Sequence, residues 1–427
     1  MFAAIGLPLL LAFLPHPASA TREPSGYDAQ QPLLQHANRS LLLNLSMGLR
    51  DGEPPISTLG HISNPSTQKD PPAIFISVNF ATAPGTTTPL GFSLVIDTGS
   101  GITWIARDDC KTTDSPPEDC EIFHDKKFPK TLAGKADETK WTAEYVGGHY
   151  AEGVTVEHGM AFGEDTAFQP QYVGLATRLH EVSAADLSIY GSGVFAMGPP
   201  SLLWPALGGK GGYEPVWAQM VRARGLPQTF AIAAAGDYDG FGWLDIGGDL
   251  GKQIPTSSTR AVTFKHSSKF QRHWAIDVDF AFAHGDDKDH ALPAMVAMVD
   301  SGTSGIRVPT AVVDAIHKVI GIKTVEVWGA KRVVVDCGMM EKDAYSIKIY
   351  PAGSRERYVT VGSSHWFERD TTVEPDRCLS LIFPYDNDES RDIMILGMPW
   401  FWATEKTVFE WHDIEVDEVP PVIIAQQ

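Results

Sequence analysis

The chain has 427 residues, and its 34 basic and 53 acidic side chains give a formal net charge of −19 at pH 7. This balance excludes a protein that binds nucleic acid through phosphate contacts, because such proteins carry a surplus of Lys and Arg. Hydrophobic residues make up 43% of the chain and charged residues 20%, which excludes a disordered acidic chain and allows a large core.

The amino terminus has the pattern of a secretory signal peptide. An apolar run extends from Ile5 to Leu14, and the small residues Ala18, Ser19 and Ala20 follow in the Ala-x-Ala order that precedes a signal-peptidase cut. The run is too short to cross a bilayer, which takes about 20 apolar residues, and no later stretch approaches that length. We therefore predict that residues 1–20 are a signal peptide, that the chain is secreted, and that it leaves the membrane once the peptide is removed.

The next segment, residues 21–70, is poor in aromatic side chains and rich in turn formers such as the run from Asp51 to Pro55. This composition predicts a propeptide or a loosely packed arm rather than part of the core. Two Asn-x-Ser sequons, at Asn38 and Asn44, predict N-glycosylation in this segment.

Strand patterns begin after residue 70. The alternation of Ile74, Ile76, Val78 and Phe80 has the period of two that is typical of a half-buried strand. A second apolar strand, Phe92–Ile96, leads directly into the sequence Asp-Thr-Gly-Ser.

The same arrangement returns about 200 residues later. Ala275–Phe280 has the pattern of a strand, and Met295–Val299 forms another that leads into Asp-Ser-Gly-Thr. Two copies of one module predict two related lobes. We place the first lobe at residues 71–248 and the second at residues 249–427.

Either motif alone would be no more than the end of a hairpin, since Asp and Gly are common turn residues. Two copies, each after an apolar strand, indicate paired chemistry, because such a strand delivers a carboxylate to a semi-buried site and Gly lets a substrate backbone come close. Each motif supplies a carboxylate, a glycine and a hydroxyl: Asp97, Gly99 and Ser100 in the first copy, and Asp300, Gly302 and Thr303 in the second.

With these paired motifs, the chain resembles the pepsin-like aspartic proteases over roughly residues 72–416. Trp104 matches the family tryptophan that hydrogen-bonds the flap tyrosine, and Tyr145 resembles that tyrosine. Val95 and Val194 resemble residues that line the main specificity pocket, although core packing explains both equally well. The resemblance implies a mainly β, bilobal fold with two β-barrel-like lobes and the active-site cleft between them.

The family also braces each catalytic loop with a short apolar element that ends in glycine. Ile395–Gly397 resembles the element of the second lobe, whereas Ser192–Ala196, in the first lobe, ends in alanine. We expect a small backbone adjustment beneath Asp97 as a result.

The four cysteines lack the Cys-x-x-Cys spacing of zinc sites, and a secreted chain favours disulfides. Local pairs, Cys110 with Cys120 and Cys337 with Cys378, need the least long-range organisation, but the sequence leaves other pairings open. The family resemblance implies these same two pairs.

The resemblance implies a secreted, extracellular or vacuolar aspartic endopeptidase that hydrolyses proteins at acid pH, with Asp97 and Asp300 activating a water molecule. Neither a cofactor nor a metal is expected, the partners are polypeptide substrates, and we expect a monomer. The alternative is a catalytically weak or inactive homologue that acts as a binding or inhibitory protein.

Overall fold

The computed structural model describes residues 41–48, 73–82, 89–113, 117, 119–120, 127–133, 136–145, 149–162, 169–180, 192–208, 213–234, 241–247, 261–285, 289–320, 323–327, 330–338, 344–369, 377–385, 392–411 and 422–426. The predicted signal peptide, the sequon at Asn38 and much of the predicted propeptide lie outside the described residues. Asn44 lies within the first strand.

Ten strands of the described chain precede residue 250. They are β1 Leu41–Gly48, β2 Ala73–Ala81, β3 Pro89–Asp97, β4 Trp104–Thr112, β5 Ala136–Glu144, β6 Tyr150–Phe162, β7 Gln169–His180, β8 Gly193–Ala196, β9 Thr229–Ala233 and β10 Phe241–Ile246.

Fifteen described strands follow. They are β11 Ala261–Lys265, β12 Ala275–His284, β13 His290–Ala291, β14 Met295–Val299, β15 Ile306–Val308, β16 Lys323–Val327, β17 Ala330–Asp336, β18 Tyr345–Pro351, β19 Val359–Gly362, β20 Phe367–Arg369, β21 Arg377–Ser380, β22 Ile382–Pro384, β23 Ile393–Leu396, β24 Lys406–Glu410 and β25 Val422–Gln426. The described helices are short: α1 Pro200–Ala206, α2 Val216–Arg224, α3 Thr310–Ile320, α4 Ser363–Trp366 and α5 Met398–Ala403.

The fold is mainly β and bilobal, and the strands that the sequence predicted before each Asp motif are confirmed as β2, β3, β12 and β14. In the first lobe, β8 lies between β3 and β4, parallel to the former and antiparallel to the latter. In the second lobe, β23 lies in the same way between β14 and β15. In each lobe, the Asp motif therefore lies in a loop between two strands that are consecutive in the chain. In the sheet, a third strand from later in the chain lies between those two.

Strands from both lobes join in one sheet. The order at one end of a 13-stranded sheet is β11-β25-β24-β9-β10-β1, in which β24 from the second lobe pairs with β9 from the first. Strand β1 lies in the segment predicted to be a propeptide or loosely packed arm, and it pairs with both β10 and β2. The second lobe adds an eight-stranded and a four-stranded sheet.

An aromatic cluster packs on this joint sheet and draws on both lobes. The ring of Phe230 in β9 stacks on Phe409 in β24, with 4.6 Å between centroids. Trp217 and Trp274 meet Phe230 edge-on at 5.2 and 5.6 Å. All four side chains are buried, so this cluster forms a hydrophobic core shared by the two lobes.

The structure joins Cys110 to Cys120 and Cys337 to Cys378, with Cα separations of 5.4 and 5.1 Å. These are the two local pairs that the sequence favoured. None of the helices in the described part of the chain is long and apolar enough to cross a membrane.

Candidate active site

The carboxylate of Asp97 lies at the end of β3, where only 5% of the residue is exposed. The apolar residues of β3 predict this position. Because the side chains at the end of the strand are buried, the carboxylate that follows them also lies in the interior. The N–H of Gly99 donates to Oδ1 at 2.7 Å, and the hydroxyl of Ser100 donates to Oδ2. Both carboxylate oxygens therefore have a donor within the same loop.

Asp300 follows the last residue of β14 and has the corresponding donors, although it is only partly buried. The N–H of Gly302 donates to its Oδ1 at 2.9 Å, and the hydroxyl of Thr303 donates to its Oδ2 at 2.7 Å. The loop hydrogen bonds of the two motifs thus correspond position by position.

Each motif glycine packs against the carboxylate of the opposite motif. A Cβ atom on Gly99 would lie 2.7 Å from Oδ1 of Asp300, and one on Gly302 would lie 2.5 Å from Cγ of Asp97. Neither distance leaves room for a side chain, so only glycine allows the two loops to approach this closely. The structure therefore brings the two predicted carboxylates together.

Burial and a neighbouring negative charge act on the same carboxyl group. Burial raises the pKa of Asp97 well above its usual range, and the charge of Asp300 and a hydrogen bond between the two side chains raise it further. The donors from Ser100 and Gly99 act in the opposite direction. Two carboxyl groups in such contact share a proton and titrate as a pair.

A second pair of residues, not singled out from the sequence, links the two loops. The N–H of Thr98 donates to Oγ of Ser301 at 3.1 Å, and the N–H of Ser301 donates to Oγ1 of Thr98 at 2.9 Å. The two hydroxyls then donate to the backbone carbonyls of Val299 and Ile96, both at 2.8 Å. The signal for this inter-lobe clasp was present in the sequence, since a hydroxyl residue stands between Asp and Gly in both motifs.

The predicted flap residues are also in contact. Nε1 of Trp104 donates to the hydroxyl of Tyr145 at 2.5 Å. The backbone N–H of Tyr145 donates to the carbonyl of His149 at 2.8 Å, which closes the hairpin between β5 and β6. Trp104 also stacks on the buried ring of Trp141, 6.3 Å away, a contact that the sequence did not suggest.

The two predicted pocket residues are buried and adjacent. Val95 in β3 is paired in register with Val194 in β8, and their exposed fractions are 2% and 0%. Val95 packs with Phe75, whereas Val194 belongs to the cluster that contains Trp104. Their role in a specificity pocket stays a prediction.

The amino-acid sequence of the chain matches a known protein family. The model described as eukaryotic aspartyl protease matches residues 85–418, which is most of the chain. The chain belongs to the eukaryotic aspartyl protease family. Among curated proteins, it is similar to cathepsin D from Chionodraco hamatus, with 26% identity over 238 residues. That match covers 55% of this chain and 55% of the cathepsin, so it spans about half the length of the relative.

The apolar braces beneath the two Asp motifs differ between the lobes. In the second lobe, Gly397 packs so tightly on the carbonyl of Thr303 that a Cβ atom would overlap with it. In the first lobe, the same close approach, to the carbonyl of Ser100, is made by Gly198, two residues after Ala196. Alanine is accommodated because the tight contact with the catalytic loop falls on this later glycine.

The first brace is also tied to the second lobe. Met197 donates its N–H to the carbonyl of Asp97 at 2.8 Å, and its own carbonyl accepts a hydrogen bond of 2.8 Å from Nε1 of Trp274. Trp274 is buried and immediately precedes β12. This strand pairs with β14, which ends just before Asp300. The backbone beneath Asp97 is therefore fixed by a side chain of the other lobe.

Over the ranges that the structure describes, no group of three or more His, Cys, Asp or Glu side chains is placed to hold a metal ion. The donors around the two carboxyl groups are backbone N–H groups and hydroxyls, which stabilise carboxylates directly.

Proposed function

We propose that this chain is an aspartic endopeptidase, secreted and active at acid pH, in which Asp97 and Asp300 act together as general acid and base. The observation that supports it best is the reciprocal packing of each motif glycine against the opposite carboxylate. This contact requires the two carboxyl groups to lie close together. A pair of carboxyl groups that shares one proton contains both an acid and a base.

The proposed reaction needs only water and the two side chains. The ionised carboxylate takes a proton from a bound water molecule while the protonated carboxyl donates a hydrogen bond to the peptide carbonyl. Attack of the hydroxide on the carbonyl carbon, with transfer of the other carboxyl proton to the carbonyl oxygen, gives a neutral tetrahedral diol and leaves one proton on the pair. The pair then donates this proton to the nitrogen and takes a proton from a diol hydroxyl as the C–N bond breaks, which returns the pair to its starting state. No covalent enzyme intermediate forms.

The loop donors would hold the pair in position during these steps. The hydroxyls of Ser100 and Thr303 donate to Oδ2 of Asp97 and Asp300, respectively. The N–H groups of Gly99 and Gly302 donate to Oδ1 of the same two carboxylates. Tyr145, held by Trp104, would close the flap over a polypeptide substrate. Since the reaction needs one shared proton, activity should fall as pH rises through the second ionisation of the pair.

The remaining assignments belong to the same proposal. Residues 1–20 would be a signal peptide and residues 21–70 a propeptide that makes the secreted form a zymogen, followed by lobes at residues 71–248 and 249–427. The mature enzyme would be a monomer without cofactor, in the extracellular space or a vacuole, with glycans at Asn38 and Asn44.

Hydrolysis of a denatured protein from about pH 3 to about pH 9 tests the proposal, with Asp97→Asn and Asp300→Asn as matched variants of the processed protein. We expect acid-optimal, pepstatin-sensitive cleavage that either substitution lowers by about 100-fold to 10,000-fold. Maximal activity above neutrality, or full activity in either variant, would exclude the mechanism. Correctly folded protein that cleaves nothing would instead support the binding or inhibitory alternative.

A further inference from the structure

A histidine at the base of the flap hairpin, formed by β5, β6 and the turn between them, has no role in the mechanism above. His180 is the last residue of β7, and it pairs in antiparallel register with Tyr150, the first residue of β6. The two rings stack with 4.5 Å between their centroids and 22° between their planes. Because opposite residues of an antiparallel pair carry their side chains on one face, the register itself brings the rings together.

This stack lies where the flap hairpin leaves the rest of the first lobe. On the other side of β6, Tyr150 pairs with Glu144, the last residue of β5. Beyond this pair, the N–H of Tyr145 donates to the carbonyl of His149 at 2.8 Å and closes the hairpin. Tyr145, which accepts the hydrogen bond from Trp104, is thus the next residue after the paired strands. A shift of Tyr150 would therefore move the end of the hairpin that carries Tyr145.

The imidazole of His180 is also hydrogen-bonded to the segment that follows β4. Its Nδ1 contacts the hydroxyl of Thr113, and the backbone N–H of Thr113 donates to the carbonyl of Leu179 at 3.0 Å. The same segment is fixed by the disulfide between Cys110, in β4, and Cys120. The orientation of the imidazole is therefore set from two sides, by the hydrogen bond at its edge and by the stack on its face.

The second lobe contains an equivalent stack away from the carboxyl pair. His284 is paired in register with Tyr345, and their rings stack with 4.5 Å between centroids and 16° between planes. His284 is the last residue of β12, at the other end of the strand from the residues that pair with β14. The two stacks have the same geometry, so a difference between them in function must come from their places in the fold.

We propose that His180 is a positioning residue for the flap, and that its contacts with Tyr150 and Thr113 keep the hairpin in the conformation that receives a substrate. The proposal rests on the function proposed above, in which Tyr145 closes the flap over a polypeptide. Without the stack, fewer molecules hold the hairpin in this conformation, and the apparent affinity falls in proportion to that fraction. Once a peptide is bound, the flap is closed over an unchanged carboxyl pair, so the chemical step keeps its rate.

Steady-state kinetics on one peptide at one acid pH test this role. His180→Ala removes both contacts, and we expect KM to rise about 2-fold to 10-fold, as loss of an aromatic pair allows, while kcat changes by less than about 2-fold. His180→Phe and Thr113→Val each keep a stacked ring and lose only the hydrogen bond between these two residues. We expect these two variants to share one KM, between those of the wild type and His180→Ala. His284→Ala, which removes the equivalent stack, is the matched control and should keep the wild-type KM.

Amide hydrogen exchange adds a readout that needs no activity. We expect faster exchange of peptides that contain Tyr145 in His180→Ala, and wild-type exchange of the same peptides in His284→Ala. Unaltered exchange or an unaltered KM in His180→Ala would overturn the proposal, as would a fall in kcat alone or an equal rise of KM in His284→Ala. If the wild type itself cleaves nothing, the proposed function fails, whereas the exchange rates still decide whether His180 holds the hairpin.

Discussion

Thr98 and Ser301 exchange hydrogen bonds across the two lobes, each backbone N–H donating to the hydroxyl of the other residue at 3.1 and 2.9 Å. The two residues are 203 positions apart, and both are buried. Because each hydroxyl also donates to a carbonyl of the opposite lobe, no donor or acceptor in this clasp lacks a partner. The clasp fixes the two loops that carry the carboxylates relative to each other.

Removing one hydroxyl of the clasp should cost stability. Thr98→Val keeps the shape of the side chain but leaves the N–H of Ser301 and the carbonyl of Val299 buried without this partner. Each such group costs about 1–3 kcal/mol, so we expect a clear fall in the free energy of unfolding measured by denaturant titration. Thr98→Ser keeps the hydroxyl and serves as the control. Equal stability of the two variants would contradict a structural role for the clasp.

The raised pKa of Asp97 predicts a stability that depends on pH. In the unfolded chain an Asp titrates near pH 3.9, whereas burial first and the charge of Asp300 second raise the pKa in the folded protein. The folded state therefore binds the proton more tightly, and this contribution is complete below about pH 4 and is lost as pH rises through the folded pKa.

Asp97→Asn cannot titrate, so its free energy of unfolding should rise relative to the wild type as pH increases from about 4 to 7. Each unit of pKa difference corresponds to about 1.4 kcal/mol. Denaturant titrations at several pH values measure the difference between the two proteins. Parallel curves over this range would show that Asp97 has an ordinary pKa in the folded state.

The hydrogen bond between Trp104 and Tyr145 predicts a coupled pair of substitutions. Trp104→Phe removes the indole donor and keeps an aromatic ring against Trp141, while Tyr145→Phe removes the acceptor. Loss of one such bond costs about 0.5–1.5 kcal/mol, so we expect kcat/KM to fall by about 2-fold to 10-fold in either variant. The double variant should be little worse than each single one, and fully additive losses would argue against the bond.

The contact of Gly302 with Asp97 predicts a severe effect from one methyl group. Gly302→Ala would place Cβ 2.5 Å from Cγ of Asp97 and force the two loops apart. Displacements of about 1 Å at a reacting centre cost about 100-fold in rate, and we expect a loss of at least that size in kcat/KM. Gly91→Ala is the control, because its Cβ would meet only the movable side chain of Asn79 at 3.1 Å. Similar activities in the two variants would exclude this contact as a constraint.

Local pattern was enough to locate the candidate carboxylates and the strands that carry them. β3 and β14 are recognised from a few consecutive apolar residues, and the Asp-x-Gly sequence that follows each is visible without knowledge of the fold. The loop hydrogen bonds to Asp97 and Asp300 come from residues two and three positions later, so they also follow from the sequence. The family of the chain follows from the same motifs.

Contacts between distant parts of the chain were decided only by the tertiary structure. Trp274 donates to the carbonyl of Met197, 77 positions away, and Thr98 and Ser301 meet although 203 positions separate them. The pairing of β1 with β10 and β2 likewise gave no sequence signal that distinguished it from a loose arm. The sequence determined which groups the site contains, because each motif is local. The docking of the two lobes determined which partners those groups meet, because hydrogen bonds and burial depend on residues that only the fold brings together.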